Sequence, residues 1–210
     1  GEEKYLYTEK IIVNHYPDST KSRSSYLPLL ELAIKENPEN DRNMHYLGRE
    51  YMYYGKYEEA ITTLEKHLNL KSATWKDERC ASMRFIARCY MKLNRPKEAL
   101  MWANMAIKES SYLRDPYMEK ALITYELKSY KETEKLCLEA LKIKKHPKTY
   151  INEAFTTDLN IYDILAVVCF NNGKYRSSLR YINKALELDK DNERLNNNKK
   201  LIEQSINYNS

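Results

Sequence analysis

Residues 41–192 repeat one arrangement of bulky, small and aromatic positions four times. In the first copy, residues 43–51 carry Leu47, Gly48 and Tyr51, and residues 54–60 follow with a second tyrosine-rich segment. The later copies place similar residue types at matching offsets. Because side chains three or four positions apart share one face of a helix, each copy predicts two amphipathic helices that pack as a hairpin.

The spacing of the copies indicates the kind of repeat. The small residue in the middle of each copy falls at Ala60, Ala99, Thr133 and Ser178, so successive copies are 39, 34 and 45 residues apart. A period of 34 residues is typical of the tetratricopeptide (TPR) repeat, a helix–turn–helix unit. The sequence resembles this repeat and predicts one bare unit and two units with insertions.

Small residues are expected at the contact between the two helices of each hairpin. They allow the helix axes to approach to about 8–10 Å. The predicted pairs are Gly48 with Ala60, Ala87 with Ala99, Ala121 with Thr133, and Ala166 with Ser178. Ala185, late in the last hairpin, is expected to let a capping helix dock closely.

These observations predict an all-α protein, a right-handed superhelix of about four TPR hairpins between a leading helix and a C-terminal capping helix. The predicted ranges are 25–40 for the leading helix, 41–73, 74–113, 114–147 and 159–192 for the repeats, 144–158 for an irregular insertion, and 193–210 for the capping helix and a frayed tail. Thr74 is predicted to cap the first helix of the second repeat, with Asp77 placed as in a capping box.

Residues 1–24 show a different pattern. Residues 10–15 are β-branched and apolar and predict a short strand, and residues 16–20 predict a turn. We interpret this stretch as the junction with an upstream domain. His15 follows the strand and is a candidate to face an upstream active site, with a structural or exposed role as the alternative.

Composition and charge limit the chemistry of the chain. Only 4 Gly and 6 Pro occur in 210 residues, which excludes glycine-rich phosphate loops and a barrel. The net charge of +5 arises from interspersed charges of both signs and predicts a solvated surface. The four cysteines lie far apart and predict core side chains in a reduced, cytoplasmic protein without a disulfide framework or zinc site. The sequence contains no stretch with the length and apolarity of a membrane span.

Four segments between residues 42 and 90 carry a closer family resemblance. They are LGREY at 47–51, LEKHL at 64–68, ATWKDER at 73–79 and SMRFIARCY at 82–90. The sequence resembles the TPR region that follows a family 2 glycosyltransferase domain in certain bacterial and phage proteins. The resemblance implies that the catalytic domain, with its nucleotide-sugar fold and Asp-x-Asp metal motif, precedes residue 1. It also implies that this chain is not itself an enzyme and holds no cofactor or metal.

The first helices of TPR hairpins line the concave face, and six residues of the first two repeats occupy positions that point into it. They are Arg42, His45, Arg49, Tyr53, Arg84 and Arg88. Guanidinium groups bind carboxylates and peptide carbonyls, and tyrosine adds a stacking surface, so the six residues predict a basic groove for a peptide or protein. The same positions in repeats three and four are acidic to apolar, which predicts a groove polarised along its length.

Three functions stay open at this point. The first is the interaction module of a glycosyltransferase, which holds an acceptor, its own catalytic domain or a second subunit as a homodimer. The second is a free-standing peptide-binding adaptor. The third, nucleic-acid binding, is disfavoured because no basic cluster is interleaved with exposed aromatics outside the groove. The alternative for each arginine is simple pairing with neighbours such as Glu50 and Glu78. On the groove hypothesis, replacing Arg49 and Arg84 together with alanine leaves stability unchanged and weakens binding.

Overall fold

A computed structural model describes residues 25–145 and 149–208. These ranges contain ten α-helices, which confirms the predicted all-α fold class. The helices are α1 Tyr26–Glu36, α2 Asp41–Tyr53, α3 Tyr57–Asn69, α4 Lys76–Lys92, α5 Pro96–Glu109, α6 Asp115–Glu126, α7 Tyr130–Lys142, α8 Asp158–Asn171, α9 Tyr175–Leu188 and α10 Glu193–Tyr208. A short 3-10 helix, Ala154–Thr156, precedes α8. The predicted junction, its strand at residues 10–15 and His15 lie outside the described residues.

The helices form a linear solenoid of hairpins. Each hairpin pairs two consecutive helices, α2 with α3, α4 with α5, α6 with α7 and α8 with α9, and each hairpin packs on the next. In addition, α2 contacts α4, and α4 contacts α6. The first helices of the first three repeats therefore lie side by side and form the inner wall. At the ends of the array, α1 packs on α2 and α10 packs on α9.

The turn inside each hairpin has one geometry in all four repeats. The second residue after the first helix has a positive φ, and the next amide donates to a carbonyl five residues earlier, for example Lys56 N to Tyr51 O at 2.9 Å and Ser129 N to Thr124 O at 2.8 Å. The positive-φ residues are Gly55, Asn94, Lys128 and Gly173. Glycine avoids the steric cost of this conformation, and two repeats adopt it without glycine.

The start of α4 differs from the prediction. Trp75, not Thr74, is the residue that precedes the helix, and no side chain caps it. Asp77 instead accepts a hydrogen bond of 2.5 Å from the Tyr112 hydroxyl. The predicted capping box is therefore absent because the Asp77 carboxylate is used to tie α4 to the turn before α6.

The small residues predicted at the helix contacts are buried: Gly48, Ala60, Ala87, Ala99, Ala121, Ala166 and Ala185. The partner of Gly48 differs from the prediction. A β-carbon on Gly48 would lie 2.5 Å from Leu64 Cγ and 2.6 Å from Leu64 Cδ2, so Leu64 rather than Ala60 closes against it. The close approach is therefore centred one turn further along α3.

All four cysteines lie in the core as unpaired thiols. Burial raises the pKa of Cys80, Cys89 and Cys137 to about 12. A thiol reacts as its thiolate, so these side chains serve as small core residues and not as nucleophiles.

Candidate functional site

The structure separates the six residues predicted to line the groove. Arg42 and Tyr53 are exposed on α2, and the Tyr53 side chain is 61% exposed. The guanidinium of Arg49 lies 4.9 Å from the centre of the Tyr46 ring and is partly buried. His45 and Arg84 are fully buried, with Arg84 only 1% exposed, and Arg88 is partly buried. The expectation of six accessible groove residues is therefore wrong for His45 and Arg84.

Part of the predicted insertion lies over Arg84 and Arg88, which the sequence predicted to be accessible. Residues 149–156, which we call the docked segment, lie against the inner wall formed by α4 and α6. Its Ile151 side chain is 7% exposed and joins the core cluster of the first two repeats. The concave face of this protein therefore already holds one segment of chain, a turn followed by a short 3-10 helix, contributed by the protein itself.

Two buried side chains hold the main chain of the docked segment. Arg84 Nη2 donates to the Ile151 carbonyl at 3.0 Å, and the Asp115 carboxylate accepts from the Glu153 amide at 2.8 Å. The Asn152 side chain also donates to Asp115 at 3.2 Å. Arg84 Nη1 lies 3.7 Å from Asp115, so the two buried charges compensate one another while each binds the segment.

The Glu153 side chain is bound by two arginines. Its Oε1 atom lies 2.7 Å from Arg88 Nη2 and 3.4 Å from Arg84 Nη1. Arg88 also forms a bidentate pair with Glu119 of α6, with Nε to Oε1 at 2.9 Å and Nη2 to Oε2 at 2.5 Å. The geometry is that of a guanidinium fork shared between two carboxylates, one from the repeat and one from the docked segment.

An aromatic cluster receives the first part of the docked segment. The Tyr150 ring lies 5.6 Å from the Trp75 ring and 6.1 Å from the Tyr46 ring, measured between centroids. The Tyr150 hydroxyl donates a short hydrogen bond to Glu78. Burial and this hydrogen bond raise the pKa of Tyr150, so the phenol stays protonated and serves as a donor. Trp75, the residue before α4, therefore contacts the docked segment.

Arg114 closes the base of the insertion. Its Nε donates to the Ile143 carbonyl at 2.8 Å, and its Nη1 lies 3.3 Å from the Thr156 carbonyl and 2.5 Å from Asp158. One buried guanidinium thus joins the chain that leaves α7 to the chain that enters α8. The two ends of the insertion are held together independently of Arg84 and Arg88.

Behind the docked segment a buried polar chain connects α2, α3 and α4. His45 Nδ1 lies 2.7 Å from Ser82 Oγ, which lies 2.9 Å from His67 Nδ1. His67 Nε2 in turn lies 3.5 Å from Glu78. Serine, histidine and glutamate resemble a nucleophilic triad, but Ser82 is fully buried and has no access for a substrate. This series of polar contacts therefore connects the first repeat to Glu78, whose carboxylate accepts the hydrogen bond from Tyr150.

We expect His45 to make the fold sensitive to mild acid. Burial lowers its pKa to about 3, whereas an unfolded chain takes up the proton near pH 6.5. Its contribution is therefore complete above about pH 6.5, and the free energy of unfolding falls by about 1.4 kcal/mol per pH unit below that point. Urea unfolding at about pH 7 and about pH 5.5 measures the loss.

The control for this prediction is His45→Gln. Its amide can still hydrogen-bond to Ser82 but does not titrate. We expect the pH dependence of the variant to be shallower than that of the wild type in this window, where carboxylates are still ionised. Equal pH dependence in the two proteins would contradict the assignment to His45.

The docked segment leaves part of the concave face open. A cleft of about 420 Å³ lies between the C-terminal ends of α2, α4 and α6, on the far side of Arg88. Its lining residues are Met52, Tyr53, Tyr57, Arg88, Met91, Lys92, Glu119, Leu122, Ile123 and Glu126. The floor is apolar and the rim carries Lys92 and Glu126. We call this the open cleft.

A smaller depression of about 180 Å³ lies between α8 and α10. Val167, Phe170 and Leu201 are among its lining residues. It is lined by apolar and amide side chains and contains no charged residue that could orient a ligand. The open cleft is the better candidate because an apolar floor is combined with charged groups at the rim.

The predicted charge polarity of the groove is also revised. Asp115, an acidic groove position of the third repeat, pairs with Arg84 of the second, and Glu119 of the same helix pairs with Arg88. The sequence identifies these cations but not their partners, because Glu153 lies 65 and 69 residues from the two arginines. The only sequence signal for the docked segment is the excess length between the third and fourth repeats.

Among residues 25–145 and 149–208, no three or more His, Cys, Asp or Glu side chains are grouped to hold a metal ion. In the same part of the chain no helix has both the length and the apolarity needed to cross a membrane.

Comparison with known proteins agrees with the repeat architecture. The tetratricopeptide repeat profile matches residues 159–192, which span α8 and α9. No curated protein matches this chain in sequence. The crystal structure of MamA is similar, with a TM-score of 0.62 at 17% identity over 82% of this chain and 95% of that one.

Two further solved structures show the same similarity. YrrB, described as a TPR protein with an unusual peptide-binding site, gives a TM-score of 0.60 at 14% identity over 84% of this chain and 82% of its own. A thermophilic TPR protein from Thermus thermophilus gives 0.58 at 18% identity over 84% and 88%. The repeat match and the shared solenoid fold show that this chain contains a tetratricopeptide repeat region.

Proposed function

We propose that this chain is a non-catalytic protein-interaction module whose open cleft receives an apolar side chain of a peptide or protein partner. The observation that carries the proposal is the exposed Tyr53 at the mouth of a cleft with an apolar floor, on the concave face of a TPR solenoid. Exposed aromatic side chains beside an apolar pocket are typical anchors of binding energy in protein interfaces.

The charges at the open cleft define the partner more closely. Arg88 is paired with Glu119 and Glu153, so it contributes little net positive charge to the cleft. Lys92 and Glu126 are exposed at the rim and carry opposite charges. A partner with a leucine, methionine or aromatic side chain flanked by polar residues fits this cleft better than a polyanion. The pairing of Arg88 with two carboxylates also disfavours nucleic acid as the partner.

We expect Leu122→Lys to weaken partner binding by at least about tenfold. The substitution replaces apolar cleft surface with an ammonium group, whose hydration is lost when an apolar side chain of the partner enters. A displayed library of random twelve-residue peptides, selected on the full chain, supplies ligands without knowledge of the natural partner. Their affinities for the wild type and the variant measure the effect.

Leu138→Lys is the matched control. Leu138 is exposed on α7 outside the open cleft, and the same change there is expected to leave affinity unchanged. In Leu122→Lys the new lysine is three and four residues from Glu119 and Glu126, spacings that support a helix. Selected peptides that bind both variants equally well, or a selection that yields none, would count against the proposal.

Two settings for this module are proposed. The sequence resemblance in residues 42–90 supports a module attached to a family 2 glycosyltransferase domain, where the cleft holds the acceptor, the catalytic domain or a second copy. A free-standing peptide-binding adaptor is equally compatible with the repeat fold. The coding sequence upstream of Gly1 discriminates between them, since only the first setting requires a nucleotide-sugar fold with an Asp-x-Asp motif there.

A further inference from the structure

The docked segment is bound through main-chain groups that a peptide with the same turn at residues 149–152 could present. Arg84 and Asp115 hold a carbonyl and an amide two residues apart, at Ile151 and Glu153. Such contacts fix the direction and register of a chain without selecting its sequence. Selectivity for the sequence of the segment comes from its side chains. Tyr150 donates to Glu78, Ile151 occupies an apolar site, and Glu153 lies between two arginines.

The docked segment is also only shallowly attached. Of residues 149–153, Ile151 alone is buried, whereas the Tyr150 side chain is about half exposed. Arg114 ties the two ends of the insertion together by contacts to Ile143, Thr156 and Asp158, none of which requires residues 150–153 to stay in place. The middle of the segment can leave the wall without opening the base of the insertion.

We propose that the wall of α4 and α6 beneath the docked segment is a recognition site for a partner peptide of the pattern tyrosine–aliphatic–polar–glutamate, and that residues 150–153 occupy it as an internal competitor. This inference rests on the proposed function, because it assigns a second subsite and a ligand class to the same concave face. A partner carrying the pattern displaces the docked segment and forms the same contacts with Glu78, Arg84, Asp115 and Arg88. The adjoining open cleft then receives a further side chain of that partner.

The internal competitor sets the size of the expected effect. A tethered segment has an effective concentration on the order of 1 mM. A free peptide that binds the bare wall with a dissociation constant of about 10 µM is therefore weakened about 100-fold while the segment is docked. Removing the segment's own contacts should restore this affinity without any change in the wall.

The test uses the full chain and a fluorescein-labelled peptide with the sequence of residues 149–156, blocked at both ends. We expect the variant Tyr150→Ala with Ile151→Ser to bind the peptide at least about tenfold more tightly than the wild type, because its own segment no longer competes. Helical content by circular dichroism checks that the variant is folded. Glu153→Gln, which leaves Ile151 in the core, is a milder second variant that should bind the peptide severalfold more tightly than the wild type.

Two controls make the outcome specific. A peptide with serine for the isoleucine and glutamine for the glutamate should not bind, and Arg88→Gln in the variant background should abolish the gain. Equal affinity of wild type and both variants, or no binding to any of them, would overturn the proposal. A wild-type dimer that dissociates in the variants would assign the site to a second copy of this chain and also overturn it.

A negative result for the internal competitor can be distinguished from a negative result for the open cleft. When Leu122→Lys is added to the variant with Tyr150→Ala and Ile151→Ser, we expect the gain in affinity for the labelled peptide to be kept. The open cleft does not contact the docked segment's tyrosine, isoleucine or main chain. Loss of library-selected ligands with retention of this peptide, or the reverse, identifies which subsite is wrongly assigned.

Discussion

Gly48→Ala is expected to destabilise the protein by about 1–3 kcal/mol, although alanine normally stabilises a helix interior by about 1 kcal/mol relative to glycine. The added β-carbon would lie 2.5 Å from Leu64 Cγ, and the backbone nitrogen of Leu64 is only 3.3 Å away. Leu64 is fully buried, so its side chain has little room to retreat. Urea unfolding followed by circular dichroism measures the change, and Gly48→Leu should prevent the first hairpin from packing.

Leu64→Ala provides the matched partner for this test. Alone it removes a buried side chain and costs about 2–5 kcal/mol. Combined with Gly48→Ala it removes the clash, so the double variant should lose less than the sum of the two single losses. An additive result, or a Gly48→Ala protein at least as stable as the wild type, would show that α2 and α3 are not in this register.

The repeat architecture could be predicted from sequence because it depends on short-range patterns. Small residues at Ala87 and Ala99 and turns at Gly55 and Gly173 determine how two consecutive helices meet. The left-handed turns at Asn94 and Lys128 are harder to predict in this way, since asparagine is a weaker signal than glycine and lysine is none. At Lys128 the hairpin contacts on either side impose a conformation that the residue itself disfavours.

The groove could be predicted only in part, for a physical reason. Position in a repeat tells which side chains point toward the concave face, and so identifies Arg84 and Arg88. Whether such a side chain meets water or protein depends on what else lies there, and here the docked segment supplies Glu153 and the Ile151 carbonyl. A repeat pattern describes the wall of a solenoid but not what an insertion places against it.

The expectation that Arg84 can be replaced without loss of stability is therefore reversed. Arg84→Met is expected to cost about 3 kcal/mol, because removing one member of a buried ion pair leaves the other charge uncompensated. Asp115 is fully buried, and its nearest cation is the Arg84 guanidinium at 3.7 Å. Methionine keeps much of the aliphatic volume, so the loss measures charge and hydrogen bonds rather than a cavity.

Two comparisons separate this effect from a general weakness of the fold. Adding Asp115→Asn to Arg84→Met removes the stranded charge and should recover part of the stability, while Lys142→Ala, which breaks a solvent-exposed pair with Glu139, should leave unfolding unchanged. Hydrogen exchange should show the largest loss of protection at the Glu153 amide, which depends on Asp115 and on the register that Arg84 imposes. If Arg84→Met unfolds like the wild type and that amide stays protected, the guanidinium does not hold the docked segment, because its main-chain contact to Ile151 is then dispensable.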